Sequence, residues 1–201
     1  MKPPVLLIWG ASYLLGSIPT GYWLGKLWKG VDVRRFGSGN LGATNVFRVL
    51  GKGAGAVTLA LDIAKGLAPV LLVRHLFPGE PWLAIGAGAG AILGHTTSVF
   101  VGFRGGKGVA TSAGVFLALL PVPSCVALAT FAVCLAITRI VSLSSLAAAL
   151  ALSAASLFLA PSRALRGAAV LVTIFVFWTH RHNIRRLMNG QELRIQGPGK
   201  I

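Results

Sequence analysis

The chain has 201 residues, of which 55% are hydrophobic and 11% are charged, and its mean hydropathy is +0.77. Soluble domains carry about 25% charged residues, so this composition excludes an ordinary soluble domain and favours a helical bundle in lipid. Nineteen Lys and Arg residues stand against four Asp and Glu. Because the basic residues lie between apolar stretches, we expect them to set topology or to hold anionic lipid or phosphate, and we expect no nucleic acid partner.

Seven apolar stretches have the length, or nearly the length, of a bilayer crossing. The fourth and fifth stretches have barely enough length for two crossings, because they meet without a loop at Pro121-Val122-Pro123. Six spans is the alternative. The sequence therefore predicts an all-α integral membrane protein, a polytopic bundle of about seven transmembrane helices, forming a single domain over residues 1–201. The stretches are 4–27, 54–77, 81–101, 107–121, 122–138, 141–160 and 164–182.

The basic residues are distributed unequally between the two sides of such a bundle. With an odd number of spans, one side carries fourteen Lys and Arg, the other carries Lys2, Arg74, Arg163 and Arg166, and Lys65 lies within a span. By the positive-inside rule the N-terminus is outside and the C-terminus is cytoplasmic. The fourteen are Lys26, Lys29, Arg34, Arg35, Arg48, Lys52, Arg104, Lys107, Arg139, Arg181, Arg185, Arg186, Arg194 and Lys200.

A polar, glycine-rich segment at 34–48 follows the first span. From Gly37 to Gly42 it has the Gly-x-Gly-x-x-Gly spacing of a dinucleotide-binding loop, but no βαβ pattern surrounds it, so that interpretation fails. Such a loop can still direct backbone N–H groups at an anion, while Ser38 and Arg48 add a donor and a positive charge. An ordinary flexible loop is the alternative.

A second segment contains Gly105-Gly106-Lys107-Gly108 at the predicted start of the fourth span. It is not a Walker A motif, because Gly108 replaces the Ser or Thr that follows the lysine. A glycine turn that opens a helix offers free N–H groups and the positive end of the helix dipole, and Lys107 adds a charge. We therefore favour a phosphate site over a topological anchor with a tight turn.

A third segment, 178–187, leaves the last span. His180 and Asn183 are three residues apart and share a helical face. From these residues alone, a role in a site and an ordinary helix next to the membrane stay equally open. For Arg185 and Arg186 a basic helix next to the membrane is the better interpretation.

Polar residues also occur within the predicted spans. Asp62 and Lys65 are three residues apart, and we interpret them as an ion pair that faces other helices; a functional role is the alternative. His95, near the cytoplasmic end of its span, could line a site. The glycines of the third span recur every fourth residue, which predicts close helix packing; they are Gly86, Gly90 and Gly94.

Some familiar signatures are missing from the sequence. No His-x-x-x-x-Asp acyltransferase motif, no Gly-x-Ser-x-Gly elbow and no carboxylate cluster for Mg²⁺ occurs. An anion transporter with the glycine-rich loops as gates is one alternative function, although the polar segments gather on one side and no inverted repeat is visible. A structural membrane subunit is another.

The three segments together resemble the bacterial acyl-phosphate:glycerol-3-phosphate acyltransferases, the PlsY family. Their order, spacing and common side carry the resemblance. It implies transfer of a fatty acyl group from acyl phosphate to the 1-hydroxyl of glycerol 3-phosphate, giving lysophosphatidic acid and inorganic phosphate with no metal or organic cofactor. The matching stretches are 16–20, 37–48, 62–66, 102–111 and 180–192.

The resemblance also implies a site and a location. We expect a monomer in the lipid of the bacterial inner membrane, with its active site on the cytoplasmic face. Whether His180 or a substrate phosphate accepts the proton stays open, and Glu192 is expected to be structural. The implied catalytic residues are Ser38, Arg48, Lys107, His180 and Asn183, and the implied substrate- or phosphate-binding residues are Gly39, Asn40, Thr44, Asn45, Gly105, Gly106 and Gly108.

Overall fold

The computed structural model describes residues 4–195. Lys2 and Lys200, which enter the charge count, lie outside the described residues, as do both ends of the expected 1–201 domain. Within residues 4–195 the chain is helical, with ten α-helices and short 3₁₀ turns at Val33–Arg35 and Val99–Val101. The α-helices are α1 Val5–Ser17, α2 Thr20–Lys29, α3 Ala43–Leu50, α4 Lys52–Leu76, α5 Pro81–Thr96, α6 Val109–Leu119, α7 Pro121–Thr138, α8 Val141–Leu159, α9 Arg163–Thr179 and α10 Arg181–Met188.

Five segments of the described chain are long and apolar enough to cross a membrane by length and composition. Every predicted stretch contains at least one helix, but α9, with 17 residues, and α6 are not among the five. The α6 helix has 11 residues and would extend only about 17 Å. That is little more than half of a hydrocarbon core of about 30 Å. Seven crossings and the orientation of the termini therefore stay predictions. The five segments are Val5–Lys29, Lys52–Leu76, Pro81–Val101, Pro121–Thr138 and Val141–Leu159.

The described residues form two compact units, 4–115 and 116–195. In the first, α1 packs on α5, and α4 packs on α3 and α5. The glycine stripe of α5 lies against α1, where an added Cβ at Gly90 or Gly94 would meet the backbone carbonyl of Trp9 or Tyr13. The predicted close packing is confirmed, and its physical basis is that only glycine admits a second backbone so near.

Proline divides the first predicted span into two helices. α1 ends at Ser17 and α2 begins at Thr20, with Ile18 and Pro19 between them. Pro19 has no N–H to donate, and its ring disfavours helical geometry at Ile18. The carbonyl of Ile18 accepts from the N–H of Thr20 at 3.0 Å and not from the next helical turn. It can therefore accept a second hydrogen bond from a more distant residue.

In the second unit α7 packs on α8, and α8 packs on α9. Hydroxyl groups join the last pair: Thr173 donates to the carbonyl of Ala149 at 2.7 Å, and Ser153 lies 2.7 Å from the Thr173 hydroxyl. Large apolar side chains of both units point outward, as shown by Leu6, which is 84% exposed, and Phe158, which is 85% exposed. Apolar exteriors over polar interior contacts are typical of helices in lipid.

Candidate active site

Asn45, on α3, organises the glycine-rich loop before it. Its side chain is 1% exposed. Its Oδ1 accepts from the backbone N–H of Ser38 at 2.8 Å, and its Nδ2 donates to the carbonyls of Val33 at 2.9 Å, Phe36 at 3.2 Å and Asn40 at 2.9 Å. One buried amide thus bonds to four backbone groups of the loop. The loop is consequently a fixed structure and not a flexible connection.

The loop turns through two glycines in the left-handed region, Gly37 at φ +59° and Gly39 at φ +71°. A Cβ at Gly37 would overlap the Oδ1 of Asn45, so this position requires glycine for space as well as for conformation. Asn40 adds a local cap, since its Oδ1 accepts from the N–H of Gly42 at 2.8 Å. Ser38, between the two glycines, is exposed.

Arg48 and Thr44 stand beside this loop on α3. They are four residues apart, so they lie on one face of the helix, and both are half-buried. Asn45, between them in sequence, is buried. Of the residues predicted from the first segment, Ser38, Thr44 and Arg48 are accessible, whereas the side chains of Asn40 and Asn45 are engaged within the loop.

An ion pair between Asp32 and Arg34, which the sequence analysis did not predict, precedes the loop. Asp32 accepts from the backbone N–H of Arg34 at 3.0 Å and pairs with its guanidinium at 2.8 Å. The hydrogen bond from Arg34 holds the pKa of the Asp32 carboxyl below its usual value. Arg34 also donates to the carbonyl of Val101 at 3.5 Å. This hydrogen bond links the first polar segment to the chain just before the second. The Asp-x-Arg spacing of residues 32–34 is the sequence pattern from which the ion pair could have been predicted.

The Gly105–Gly106 turn lies against the end of α5. The N–H of Gly105 donates to the carbonyl of Thr96 at 3.0 Å, and the N–H of Gly106 donates to that of His95 at 3.0 Å. The prediction that this turn offers free N–H groups is therefore wrong for these two glycines. The reason is the chain reversal over residues 97–104, which brings the turn back onto α5.

Steric fit explains why both positions are glycine. A Cβ at Gly105 would overlap the carbonyls of His95 and Thr96, and one at Gly106 would overlap the His95 ring. Lys107 and Gly108 follow and lead into α6, with Gly108 at φ +82°. Lys107, half-buried, is thus the charged side chain that the turn positions at the start of a helix.

Beneath this turn lies a small cleft with buried polar walls, and its residues all belong to the first unit. Asp62 and Lys65 form an ion pair at 2.9 Å, so the predicted pair on α4 is confirmed. His95 lines the same cleft as Gly105 and Gly106, as the sequence suggested for a site-lining histidine. The lining residues are Pro19, Thr20, Leu41, Asp62, Lys65, His95, Ser98, Gly105 and Gly106.

His180 lies at the junction of α9 and α10 in the second unit and is 3% exposed. Its Nδ1 is 2.8 Å from the carbonyl of Val176. A carbonyl oxygen only accepts, so Nδ1 carries the proton in the neutral ring and Nε2 is the nitrogen that can accept one. This tautomer is the one that a base acting through Nε2 requires.

Asn183 and Glu192 form a polar centre next to His180 in sequence. The Nδ2 of Asn183 donates to Oε1 of Glu192, as does the hydroxyl of Ser142 at 2.8 Å, and Arg186 pairs with Oε2 at 2.7 Å. Burial alone would raise the pKa of the Glu192 carboxyl, but the hydrogen bonds from Arg186, Asn183 and Ser142 outweigh it, and the pKa lies below its ordinary value. Glu192 thus fastens the C-terminal segment to α8 and α10, as expected of a structural residue.

The structure brings the first two predicted segments together in the first unit, where Val33 and Leu41 pack with Val101 in one core cluster. The third segment belongs to the second unit. Among residues 4–195 no group of three or more His, Cys, Asp or Glu side chains is arranged to hold a metal ion.

The family model described as glycerol-3-phosphate acyltransferase matches residues 6–190. The chain belongs to this family. A glycerol-3-phosphate acyltransferase of Gloeobacter violaceus is 46% identical over 200 residues, which are 98% of this chain and 97% of the relative. One of Listeria monocytogenes is 47% identical over 192 residues, covering 92% and 93% of the two chains.

Two solved structures agree with the family. They are crystal structures of PlsY, an integral membrane glycerol 3-phosphate acyltransferase, and each covers 96% of both chains. The glycerol 3-phosphate form has a TM-score of 0.92 at 37% identity, and the lysophosphatidic acid form has 0.89 at 36%. The resemblance found in the sequence is confirmed, and the chain is an all-α integral membrane protein of the PlsY type.

Proposed function

We propose that this protein is a membrane acyltransferase that moves a fatty acyl group from acyl phosphate to the 1-hydroxyl of glycerol 3-phosphate. The products are lysophosphatidic acid and inorganic phosphate. The observation that carries the proposal is the match over almost the whole chain to a glycerol 3-phosphate acyltransferase, with a TM-score of 0.92. Family membership also speaks against the transporter and structural-subunit alternatives.

Direct transfer is the simplest chemistry for these substrates. Acyl phosphate is a mixed anhydride, so phosphate is already a good leaving group and an acyl-enzyme would add a step without lowering the first barrier. The oxygen of the 1-hydroxyl attacks the acyl carbon, the bond from that carbon to the phosphate oxygen breaks, and phosphate departs with the electron pair. The enzyme then acts by alignment and by charge. No metal or organic cofactor takes part in this scheme.

We assign phosphate binding to the first unit. Lys107 follows the glycine turn at the start of α6, where its charge and the helix dipole favour an anion. Ser38 and Arg48 supply a hydroxyl donor and a guanidinium, a group suited to phosphate. Thr44 shares the helix face of Arg48. Gly39, Asn40, Asn45, Gly105, Gly106 and Gly108 contribute by giving the two loops their shape.

The proton of the attacking hydroxyl has two candidate acceptors, Nε2 of His180 and a phosphate oxygen of a substrate. The bond from His180 Nδ1 to Val176 supports the first, because it leaves Nε2 as the accepting nitrogen. Asn183 orients the hydroxyl or the acyl carbonyl. Its bond to Glu192 fixes the amide in one orientation for that task.

We further propose seven crossings, an external N-terminus, and a cytoplasmic active site in the bacterial inner membrane, with the protein acting as a monomer in lipid. The fourteen-to-four distribution of Lys and Arg supports this orientation. The accessibility of single cysteines tests the orientation. Single cysteines at positions 38 and 79, in a variant without Cys125 and Cys134, should react with a membrane-impermeant thiol reagent from opposite sides.

The reaction itself is tested with purified protein in detergent or lipid. Glycerol 3-phosphate is supplied with palmitoyl phosphate, or with palmitoyl-CoA in parallel, and inorganic phosphate and lysophosphatidic acid are measured together. We expect equal amounts of both products from acyl phosphate and none from acyl-CoA. Product from acyl-CoA alone would reassign the donor, and no product from either donor in a folded preparation would overturn the proposal.

The direct route has its own test. Radiolabelled palmitoyl phosphate is incubated with the protein without glycerol 3-phosphate, and the protein is precipitated under acid conditions. We expect no covalent label. A label that Ser38→Ala abolishes would establish an acyl-enzyme instead.

A further inference from the structure

We infer that Asp62, Lys65 and His95 form a positioning network that fixes the Gly105–Gly106 turn, and through it the place of Lys107, without touching a substrate. The inference rests on the proposed function and adds three residues of α4 and α5 to the machinery. It follows from the buried charges beneath the turn.

The centre of the network is a buried ion pair. Lys65 Nζ lies 2.9 Å from Asp62 Oδ1 and donates to the carbonyl of Ile18 at 2.8 Å. Thr20 also donates to Asp62 Oδ1, at 3.2 Å. Both charged side chains are buried: that of Lys65 is 6% exposed and that of Asp62 is 2% exposed. A buried pair of this kind is weak evidence for stability, because desolvation offsets much of the attraction. Stability alone therefore does not account for the pair.

His95 connects the pair to the turn. Its Nδ1 lies 3.7 Å from Asp62 Oδ1 without a hydrogen-bond partner, and its ring is 6% exposed. The ring forms the surface on which Gly106 rests, since a Cβ there would overlap it. The backbone carbonyl of His95 accepts from the N–H of Gly106 at 3.0 Å. A change in the His95 ring is thus transmitted directly to the turn.

The size of the cleft shows that the network acts indirectly. The space between the polar side chains holds about one water molecule, far less than a glycerol phosphate requires. Asp62, Lys65 and His95 are each at least 93% buried. Two charged side chains adjoin the turn, the exposed Arg104 before it and the half-buried Lys107 after it. Lys107 is the one that the turn places at the start of α6. Small displacements of a charge that holds a reacting group reduce turnover steeply.

A comparison of single and double variants tests the network. Asp62→Asn and Lys65→Met each leave one buried charge unpaired, so both should melt at lower temperature. The double variant carries neither charge and should melt near the wild type, yet it has no carboxylate to orient His95. We expect its kcat/KM to fall about 10- to 100-fold. The fall should come with a raised KM for one of the two phosphate substrates and an unchanged KM for the other.

His95→Ala gives the same test without stranding a charge, so the inference does not depend on the folding of the double variant. The matched control is Thr58→Val, one turn before Asp62, whose hydroxyl is buried and bonds only to its own helix at Ala54. It should leave both KM values and kcat unchanged. A second measurement needs no turnover: the rise in melting temperature that inorganic phosphate causes in each variant reports phosphate binding.

Two results would overturn the inference. One is a folded double variant or His95→Ala variant with kcat and both KM values within twofold of the wild type. The other is a fall in kcat that matches the folded fraction while both KM values stay unchanged, which is the signature of a structural role. A wild-type protein that makes no lysophosphatidic acid but is stabilised by phosphate through this turn would instead refute the proposed function alone.

Discussion

The side-chain oxygen of Asn45 accepts a hydrogen bond from the backbone N–H of Ser38 at 2.8 Å, across seven residues of chain. The same amide donates to the carbonyls of Val33 and Asn40, at the two ends of the loop. One buried side chain therefore determines where an exposed hydroxyl stands. Asn45, which the sequence analysis expects to bind substrate, thus shapes the loop for which we propose phosphate binding.

Asn45→Asp tests this arrangement with almost no change in shape. Ionised aspartate keeps the acceptor for Ser38 but cannot donate. It therefore removes a donor from three backbone carbonyls and leaves that of Asn40 unpaired beside a buried carboxylate. Each unsatisfied group costs about 1–3 kcal/mol. We expect a lower melting temperature and at least about a tenfold fall in kcat/KM.

The control for this variant is Asn189→Asp at the exposed end of α10. It makes the same chemical change at an exposed side chain, and it should leave kcat/KM and the melting temperature close to those of the wild type. An Asn45→Asp enzyme with wild-type kcat/KM would remove Asn45 from the site.

Gly106→Ala places a methyl group against the His95 ring. Because the two would overlap, either the ring or the turn must shift, and we expect a fall in kcat/KM of at least about tenfold. The measurement is steady-state kinetics with both substrates varied. Gly53→Ala, in the first turn of α4 with open space around it, should be neutral or slightly stabilising. Equal effects at both positions would contradict the steric account.

His180→Gln distinguishes the two proton acceptors. If Nε2 of His180 takes the proton, kcat should fall about 10²- to 10⁴-fold. His182→Gln, an exposed histidine two residues away on α10, should have no such effect. The comparison is made at saturating substrate. Near-normal turnover by His180→Gln would assign the proton to a phosphate oxygen of the substrate.

Glu192 should make the second unit sensitive to acid. Its folded pKa lies below the ordinary value of 4.5, so its stabilising contribution is complete above pH 4.5 and is lost as pH falls through the folded pKa. Glu192→Gln should melt below the wild type at neutral pH. The gap should narrow as the pH is lowered, which melting curves at a series of pH values would show. A gap that is independent of pH would contradict this role.

Sequence patterns located the helices and the polar segments because those signals are local. The spacing of Asp62 and Lys65 predicts an ion pair within one helix, and the four-residue repeat from Gly86 predicts a packed face; the structure has both. The length of the apolar stretch 107–121 is a poorer guide to helix length, because this stretch forms α6, which has only 11 residues.

The engaged N–H groups of Gly105 and Gly106 could not be predicted in the same way. Their acceptors, Thr96 and His95, lie nine and eleven residues earlier, and only the path of the intervening chain brings them together. Asn45 is similar, because its four bonds depend on the left-handed turns at Gly37 and Gly39. Glycine allows such turns but does not show which partner they will meet.

The break at Pro19 has a consequence for how these sequences can change. In a continuous helix the Ile18 carbonyl would point along the helix axis toward an N–H of the next turn, and we expect Lys65 to lose the hydrogen bond that it now donates to this carbonyl. The ammonium group would then depend on Asp62 alone. Positions 19 and 65 are therefore coupled across two helices, and we expect relatives that lose the proline to lose the lysine as well.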